Sequence, residues 1–238
     1  MSVPILQPAP SRLPPGQRIY AIGDIHGCAD RLGTLHDAIA ADLAANPAAH
    51  STLLHIGDYT DRGPDTRAVL DRLVTGEGLP PVTARVDLFG NHEEMMLAAL
   101  AGDHPDHWLL NGGDATLASY EIDPYTHART WRDRIPDAHR TWLETLPRTH
   151  EAGGYLFVHA GLRPGVPLDE QEEHDLLWIR EPFLSSDEQR PFVTVHGHTP
   201  VRQPTIRPNR IGIDTGAVLG GPLTCLVLEE DGLRFLAA

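Results

Sequence analysis

The chain has 238 residues, 41% of them hydrophobic, and a formal net charge of −14. That is enough apolar material for the core of one large α/β domain, and the acidic balance argues against nonspecific binding to nucleic acid or an anionic membrane. Its only cysteines, Cys28 and Cys225, lie far apart in no metal-type spacing, which excludes a disulfide framework and a zinc–thiolate cluster.

Residues 1–17, "MSVPILQPAPSRLPPGQ", read as a proline-stiffened extension without the apolar core of a signal peptide. No apolar run is long enough to span a bilayer, so a soluble, cytoplasmic protein is expected. The oligomeric state is not legible in the sequence. From residue 18 to 238 the chain reads as a single domain. "RIYAI" is a buried strand, and "ADRLGTLHDAIAADLAAN" has the apolar spacing of a helix. "STLLHI" is a second strand, followed by a helix "DTRAVLDRLVTG" ending at Gly76. "ARVDLF" is a third strand, and "EEMMLAAL" begins the next helix. Strand and helix alternating in this way predict a parallel sheet with crossover helices, hence an α/β fold.

From about 103 to 150 the periodicity weakens and is broken at Pro105, Pro124, Pro136 and Pro147. We read this segment as a helical cap inserted over one end of the sheet. Strands return in "GYLFVHAGL", "FVTVHGHTP", "RIGIDTGA", "PLTCLVLEE" and "DGLRFLAA". The acidic run "LDEQEEHD" between them reads as a solvated helical face. Trp178 reads as packing.

The strand exits carry the chemistry. "GDIHG" follows the first strand, "GDYTDRG" the second and "GNHEE" the third, each ending an apolar run in carboxylate, imidazole or amide side chains. Loops at the carboxyl ends of strands are where open α/β sheets place ligands. Asp24, His26, Asp58, Asn91, His159 and His198 form a mixed O/N donor set without thiolate, suited to Mn²⁺, with Fe or Zn²⁺ as alternatives. Asp24 and His26 are two residues apart, which in extended backbone puts both on one side of the chain. Six donors are more than one catalytic ion needs and would serve two divalent ions sharing Asp58. His92 could then protonate a leaving oxygen while Asp61 holds its other ring nitrogen, and Arg62 could fork onto phosphate. His196 reads as a residue pointed into the sheet, and the remaining histidines as surface or packing groups.

"GDIHG", "GDYTDRG", "GNHE", "HWLLNGG", "VHAG", "LLWIRE", "GHTP" and "IDTGAV", in this order, resemble the phosphoprotein phosphatase branch of the calcineurin-like metallophosphoesterases, in its bacterial and bacteriophage form. The resemblance implies a β-sandwich flanked by helices, with two metals at one end of the sheets. Asp24, His26 and a bridging Asp58 would hold one metal, and Asn91, His159 and His198 the other. The "GHT" position selects His198 over His196, and Arg180 of "WIR" becomes a second phosphate-holding arginine. The implied activity is serine/threonine phosphoprotein hydrolysis by direct attack of a metal-bound hydroxide, with His92 as the acid. The alternatives are a diadenosine tetraphosphate-type pyrophosphohydrolase, sharing fold and metal site, and a non-catalytic phosphopeptide-binding protein. "GNHEEMML" leans away from the pyrophosphohydrolase, which usually carries Asp after "GNH".

Overall fold

The computed structural model describes residues 6–238 and builds them into two sheets packed face to face, with helices on the outer faces. The larger sheet has the order β1-β11-β10-β2-β3-β4, and the smaller the order β5-β6-β7-β9-β8. In the first, β2 (Gln17–Ile22), β3 (His50–His55) and β4 (Ala84–Asp87) are parallel neighbours. They are joined through α1 (Ala29–Ala45) and α2 (Thr66–Thr75), the βαβ arrangement that parallel pairing requires. The strands β10 (Thr224–Glu229) and β11 (Gly232–Ala237) complete that sheet antiparallel.

The period-two alternation of the strands sorts their side chains between the two faces. Ile19 and Ala21 of β2, Leu54 of β3, and Leu226 and Leu228 of β10 enter the apolar layer between the sheets. They meet Tyr155 and Phe157 of β6 (Tyr155–Val158) and Val193 and Val195 of β7 (Val193–His196) there. Tyr20, Ile22, Leu53 and Val227 point the other way, onto Leu32, Leu35 and Ile39 of α1. Both faces of the larger sheet are therefore covered. All the strand ends that carry motifs emerge at one edge of this sandwich.

Four segments differ from the sequence reading. The proline-rich extension is not only a lead-in: β1 (Gln7–Pro8) pairs with β11, and Leu13 is buried between the sheets. Residues 1–5 lie outside the described part. The helical insertion ends before 150, because β5 (Thr149–Ala152) already forms the edge of the smaller sheet. Within it, α4 (Pro105–Trp108), α5 (Asp114–Ser119) and α6 (Asp137–Glu144) pack on α2 and on α3 (Asn91–Ala101). Trp108, Leu117, Trp131 and Leu143 join the same core as α1 to α3, so this insertion is part of the helical layer and touches the site only at its near end. The short β8 (Thr205–Ile206), antiparallel to β9 (Arg210–Gly212), has too few residues to leave a sequence pattern. The acidic run is only partly solvated. It forms a short turn and α7 (Glu173–Trp178), in which Asp175 is buried against Arg163 at 2.6 Å.

Candidate active site and metal centre

Five loops meet at the sandwich edge, carrying Asp24 and His26 after β2, Asp58 to Arg62 after β3, Asn91 to Glu93 at the start of α3, His159 after β6 and His198 after β7. Their backbone is unusual. Among the described residues eight other than glycine have positive φ, and five of them are His26, Asp58, Asp61, Arg62 and His198. That region is sparsely populated by L-residues, and such strain persists only where surrounding contacts over-determine it. His26, at φ 44°, also corrects the extended-backbone argument: the chain turns there, so Asp24 and His26 do not lie along one extended strand face. Glycines give the loops room. A Cβ on Gly90 would stand 2.4 Å from Asp58 Oδ1, and one on Gly197 would stand 2.0 Å from Asp24 Oδ1.

The imidazoles are oriented by backbone carbonyls, which can only accept a hydrogen bond. His26 Nδ1 donates to Thr60 O at 2.8 Å, His159 Nδ1 to Ile56 O at 3.1 Å, and His198 Nε2 to Trp178 O at 3.2 Å. Each ring thus presents its other nitrogen to the centre, the arrangement that fixes the tautomer of a metal-binding histidine. His159 Nε2 and His198 Nδ1 both lie 2.9 Å from Asn91 Oδ1, and His159 Nε2 lies 3.3 Å from Asp58 Oδ1. Lone-pair atoms so close repel unless a cation or proton lies between them. Burial, then the charge of His159, pushes His198 down to about 3, leaving its Nδ1 unprotonated. Burial also works to lower His159, but Asp58, Asp24 and Glu93 carry it up to about 9. A proton on His159 therefore stands in for cationic charge.

Two clusters have ligand atoms within 4.8 Å of one another, His26–Asp58–His92 and Asp58–His159–His198. Asp58 is common to both, as a bridging ligand would be. The donor set fits two divalent cations. Asp24 is in neither cluster; both its oxygens accept from the backbone N–H of His198, a member of the second, at 3.2 and 3.0 Å. Burial and then Asp214 raise its pKa well above the usual range, a carboxyl that a cation would hold ionised. His92 belongs to the first cluster, but its Nδ1 is already committed to Asp61.

That commitment is the second element of the site. His92 Nδ1 donates to Asp61 Oδ2 at 2.8 Å, and both side chains are sealed from solvent. Asp61 also accepts from Trp108 Nε1 at 2.9 Å and Thr116 Oγ1 at 2.7 Å, both contributed by the helical insertion. Burial raises the Asp61 carboxyl well above its usual range, against the pull of those two donors, and burial pushes His92 down to about 4. Both shifts disfavour separate charges and favour a pair sharing one proton. The arginines are more open. Arg62 is exposed, with Nη1 2.8 Å from His26 Nε2, and its backbone N–H donates to Gly112 O at 3.0 Å. Arg180 is exposed just beyond α7, close enough for its charge to help lower His198.

Sequence reasoning missed the residue that holds these loops together. Glu93 is fully buried and accepts from the N–H groups of Asp58 (2.8 Å), Tyr59 (2.9 Å), Thr60 (3.2 Å) and Gly90 (3.0 Å), and from Thr60 Oγ1 (3.1 Å). A charged residue in the first turn of α3, just after a glycine, was the available signal. Trp108, Thr116 and the Trp178 carbonyl were missed as well. Trp178 itself packs as expected, stacked on His174 with its Nε1 donating to Glu94 Oε2 at 2.6 Å.

Comparison with known proteins agrees with this geometry. The family model described as calcineurin-like phosphoesterase matches residues 17–234, and the chain belongs to that family, the metal-dependent hydrolases of phosphate esters. "Serine/threonine-protein phosphatase 1" of Salmonella typhimurium is 29% identical over 218 residues, 87% of this chain and 90% of its own length. "Bis(5'-nucleosyl)-tetraphosphatase PrpE [asymmetrical]" of Bacillus anthracis is 27% identical over 229 residues, 88% of this chain and 89% of its own. The crystal structure of a proposed diadenosine tetraphosphatase superposes with a TM-score of 0.68 at 24% identity, covering 96% of this chain and 98% of that one, a likeness of fold.

Proposed function

We propose that the protein is a serine/threonine protein phosphatase that hydrolyses phosphomonoesters at the Asp58-centred site. The observation that carries this reading is the buried His92–Asp61 pair beside Asp58. A serine or threonine alkoxide is a very poor leaving group and needs a proton as the ester bond breaks, which is work for a positioned acid. Asp24, His26 and Asp58 would hold one divalent ion and Asn91, His159 and His198 the second, with Mn²⁺ the expected metal. When bound, the two ions supply positive charge that acidifies water and clamps phosphoryl oxygens. Arg62 and Arg180 bind the phosphate by charge-assisted hydrogen bonds and orient it. His92 delivers its proton to the departing oxygen while Asp61 fixes the ring and stabilises its charge. Burial keeps the His92–Asp61 pair from separating into two charges in the free protein, so as the ring gives up a proton the one shared with Asp61 stays with it. A phosphate dianion at Arg62 offsets one of the positive charges that depress His92.

The second reading, a dinucleoside tetraphosphatase, is favoured by the PrpE relative. Its leaving group, a nucleotide phosphate, is much less basic and needs less of an acid. The test is a comparison of kcat/KM for a phosphoserine peptide and for diadenosine tetraphosphate in the Mn²⁺-loaded protein. We expect the peptide to be preferred. Turnover of the dinucleotide alone would overturn the proposal, and binding of phosphopeptide with no turnover of either substrate would support a non-catalytic binder.

A further inference from the structure

Beside the site lies a cavity of about 590 Å³ whose wall includes Arg62, so whatever phosphate Arg62 holds opens directly into it. Pro64, Cys28, Ala217 and Val218 supply its apolar surface, and Arg31 its second guanidinium. Arg31 stands in the first turn of α1 and donates through Nη1 to the Gly221 carbonyl. That carbonyl belongs to a loop whose shape is fixed by its glycines. Gly216 and Gly220 have φ of 68° and 92°, and a Cβ on Gly221 would lie 1.9 Å from Thr215 O. Arg31 is thereby held against a rigid wall, close enough to Cys28 for its charge to act on that thiol.

The cavity is lined by charge of both signs. Asp30 and Asp65 also line it, and both are shared with the neighbouring groove of about 870 Å³ between α1 and α2. Asp65 is engaged as the N-cap of α2, its Oδ1 accepting from Ala68 N at 3.0 Å. Arg31 donates to a neutral carbonyl and Arg62 to an imidazole, and among the described residues neither is engaged by a carboxylate. Two guanidinium groups without a carboxylate in direct contact thus line one cavity in a chain of net charge −14.

We infer that this cavity is a specificity subsite for a second anionic group beside the scissile phosphate, with Arg31 as the residue that reads it. The inference rests on the phosphoesterase site proposed above. Arg62 holds the reacting phosphate and Arg31 takes a carboxylate or phosphate carried next to it. The source is an acidic side chain adjoining the phosphoserine or a further phosphate of a polyphosphate chain, and these share one recognition chemistry.

The test measures KM and kcat for wild type, Arg31→Gln and Arg31→Lys, all Mn²⁺-loaded. The substrates are matched phosphoserine peptides with Asp, Ala or Arg beside the phosphoserine, diadenosine tetraphosphate, and nitrophenyl phosphate as the reference without a second anion. In wild type the Asp peptide should have the lowest KM. Arg31→Gln should raise that KM roughly fivefold, a magnitude suited to an open charge pair, with kcat little altered, and Arg31→Lys should recover part of the loss. Equal losses for the Asp and Arg peptides, or a loss shared by nitrophenyl phosphate, would make Arg31 structural and overturn the inference. If wild type cleaves the dinucleotide and no peptide, the protein-phosphatase reading fails by itself. Arg31→Gln must then raise the dinucleotide KM by a similar factor, or the subsite falls too.

Discussion

Replacing His92 by Asn isolates the proton from the rest of the site. The imidazole is fully enclosed and touches Asp61 at 2.8 Å, so bulk water cannot take its place. Asp61 would keep Trp108 and Thr116 as donors, and the pocket should therefore survive the change. General acid catalysis is worth typically ~10²–10⁴-fold, or about 2.7–5.4 kcal/mol of barrier, and all of it is open to loss when the leaving oxygen is an alkoxide. A nitrophenolate leaves readily without a proton, while tyrosine's phenolate, with a conjugate-acid pKa of about 10, falls between. His92→Asn should slow phosphoserine peptides by a hundredfold or more, nitrophenyl phosphate by only a few-fold, and phosphotyrosine, if accepted, by an intermediate factor. The assay is single-turnover hydrolysis by metal-loaded protein, which prevents product release from masking chemistry. Equal losses for every leaving group would refute the acid role and leave His92 as a positioning residue.

Glu93→Gln would turn an amide NH₂ toward buried N–H groups such as those of Asp58 and Gly90, and leaving both unpaired should lower unfolding stability by about 2–6 kcal/mol in denaturant titrations. Trp108→Phe removes a donor shared by both Asp61 oxygens, and should cost about 1.5–3 kcal/mol of stability and slow phosphoserine more than nitrophenyl phosphate. Asp42 gives a pH test away from the metal centre. Burial works to raise its pKa, but hydrogen bonds from Tyr20 (2.5 Å) and Arg234 (2.6 Å), with Arg18 nearby, hold it below the usual value. Its contribution is therefore present above about pH 4 and lost as pH falls through the lowered folded value. Asp42→Asn should destabilise at pH 7 and flatten the acid limb of the stability curve, and an unchanged limb would contradict this.

The strand-exit motifs were legible because each candidate ligand stands within a few residues of an apolar strand, where pattern and chemistry coincide. Asp58 was read as shared because six donors are more than one ion needs, and the fold sets its carboxylate in both ligand clusters. Trp108 and Thr116 were not, since they reach Asp61 from 47 and 55 residues away through a segment whose periodicity is broken by prolines. Glu93 was hidden because its partners are backbone N–H groups, which leave no trace in residue identity. Asp175 looked solvated among its acidic neighbours, and only the folded chain brings it Arg163. The two-residue strands β1 and β8 are set by tertiary pairing, and no local preference announces them.

The strained loops make one further demand on the protein. Positive φ at His26, Asp58, Asp61, Arg62 and His198 is unfavourable, and so is the approach of His159 Nε2 and His198 Nδ1 to one Asn91 oxygen at 2.9 Å each. Glu93 and the glycine contacts offset the first, but nothing among the described residues offsets the second except a proton on His159. A divalent cation would do so better, and its binding free energy then becomes folding free energy. Mn²⁺ at a hundred times its Kd should add about 2.7 kcal/mol per site, and in a domain of this size each kcal/mol raises Tm by roughly 2–4 °C. Titrating Mn²⁺ into chelator-treated protein should therefore raise Tm by about 5–20 °C, whether or not any substrate is turned over. Asn91→Ala removes the shared oxygen and relieves the repulsion, so it should reduce the Mn²⁺-dependent rise more than it lowers the ion-free Tm. A wild-type protein that ignores Mn²⁺ in this assay, or an Asn91→Ala variant with an undiminished response, would show that the converging lone pairs are not a cation site.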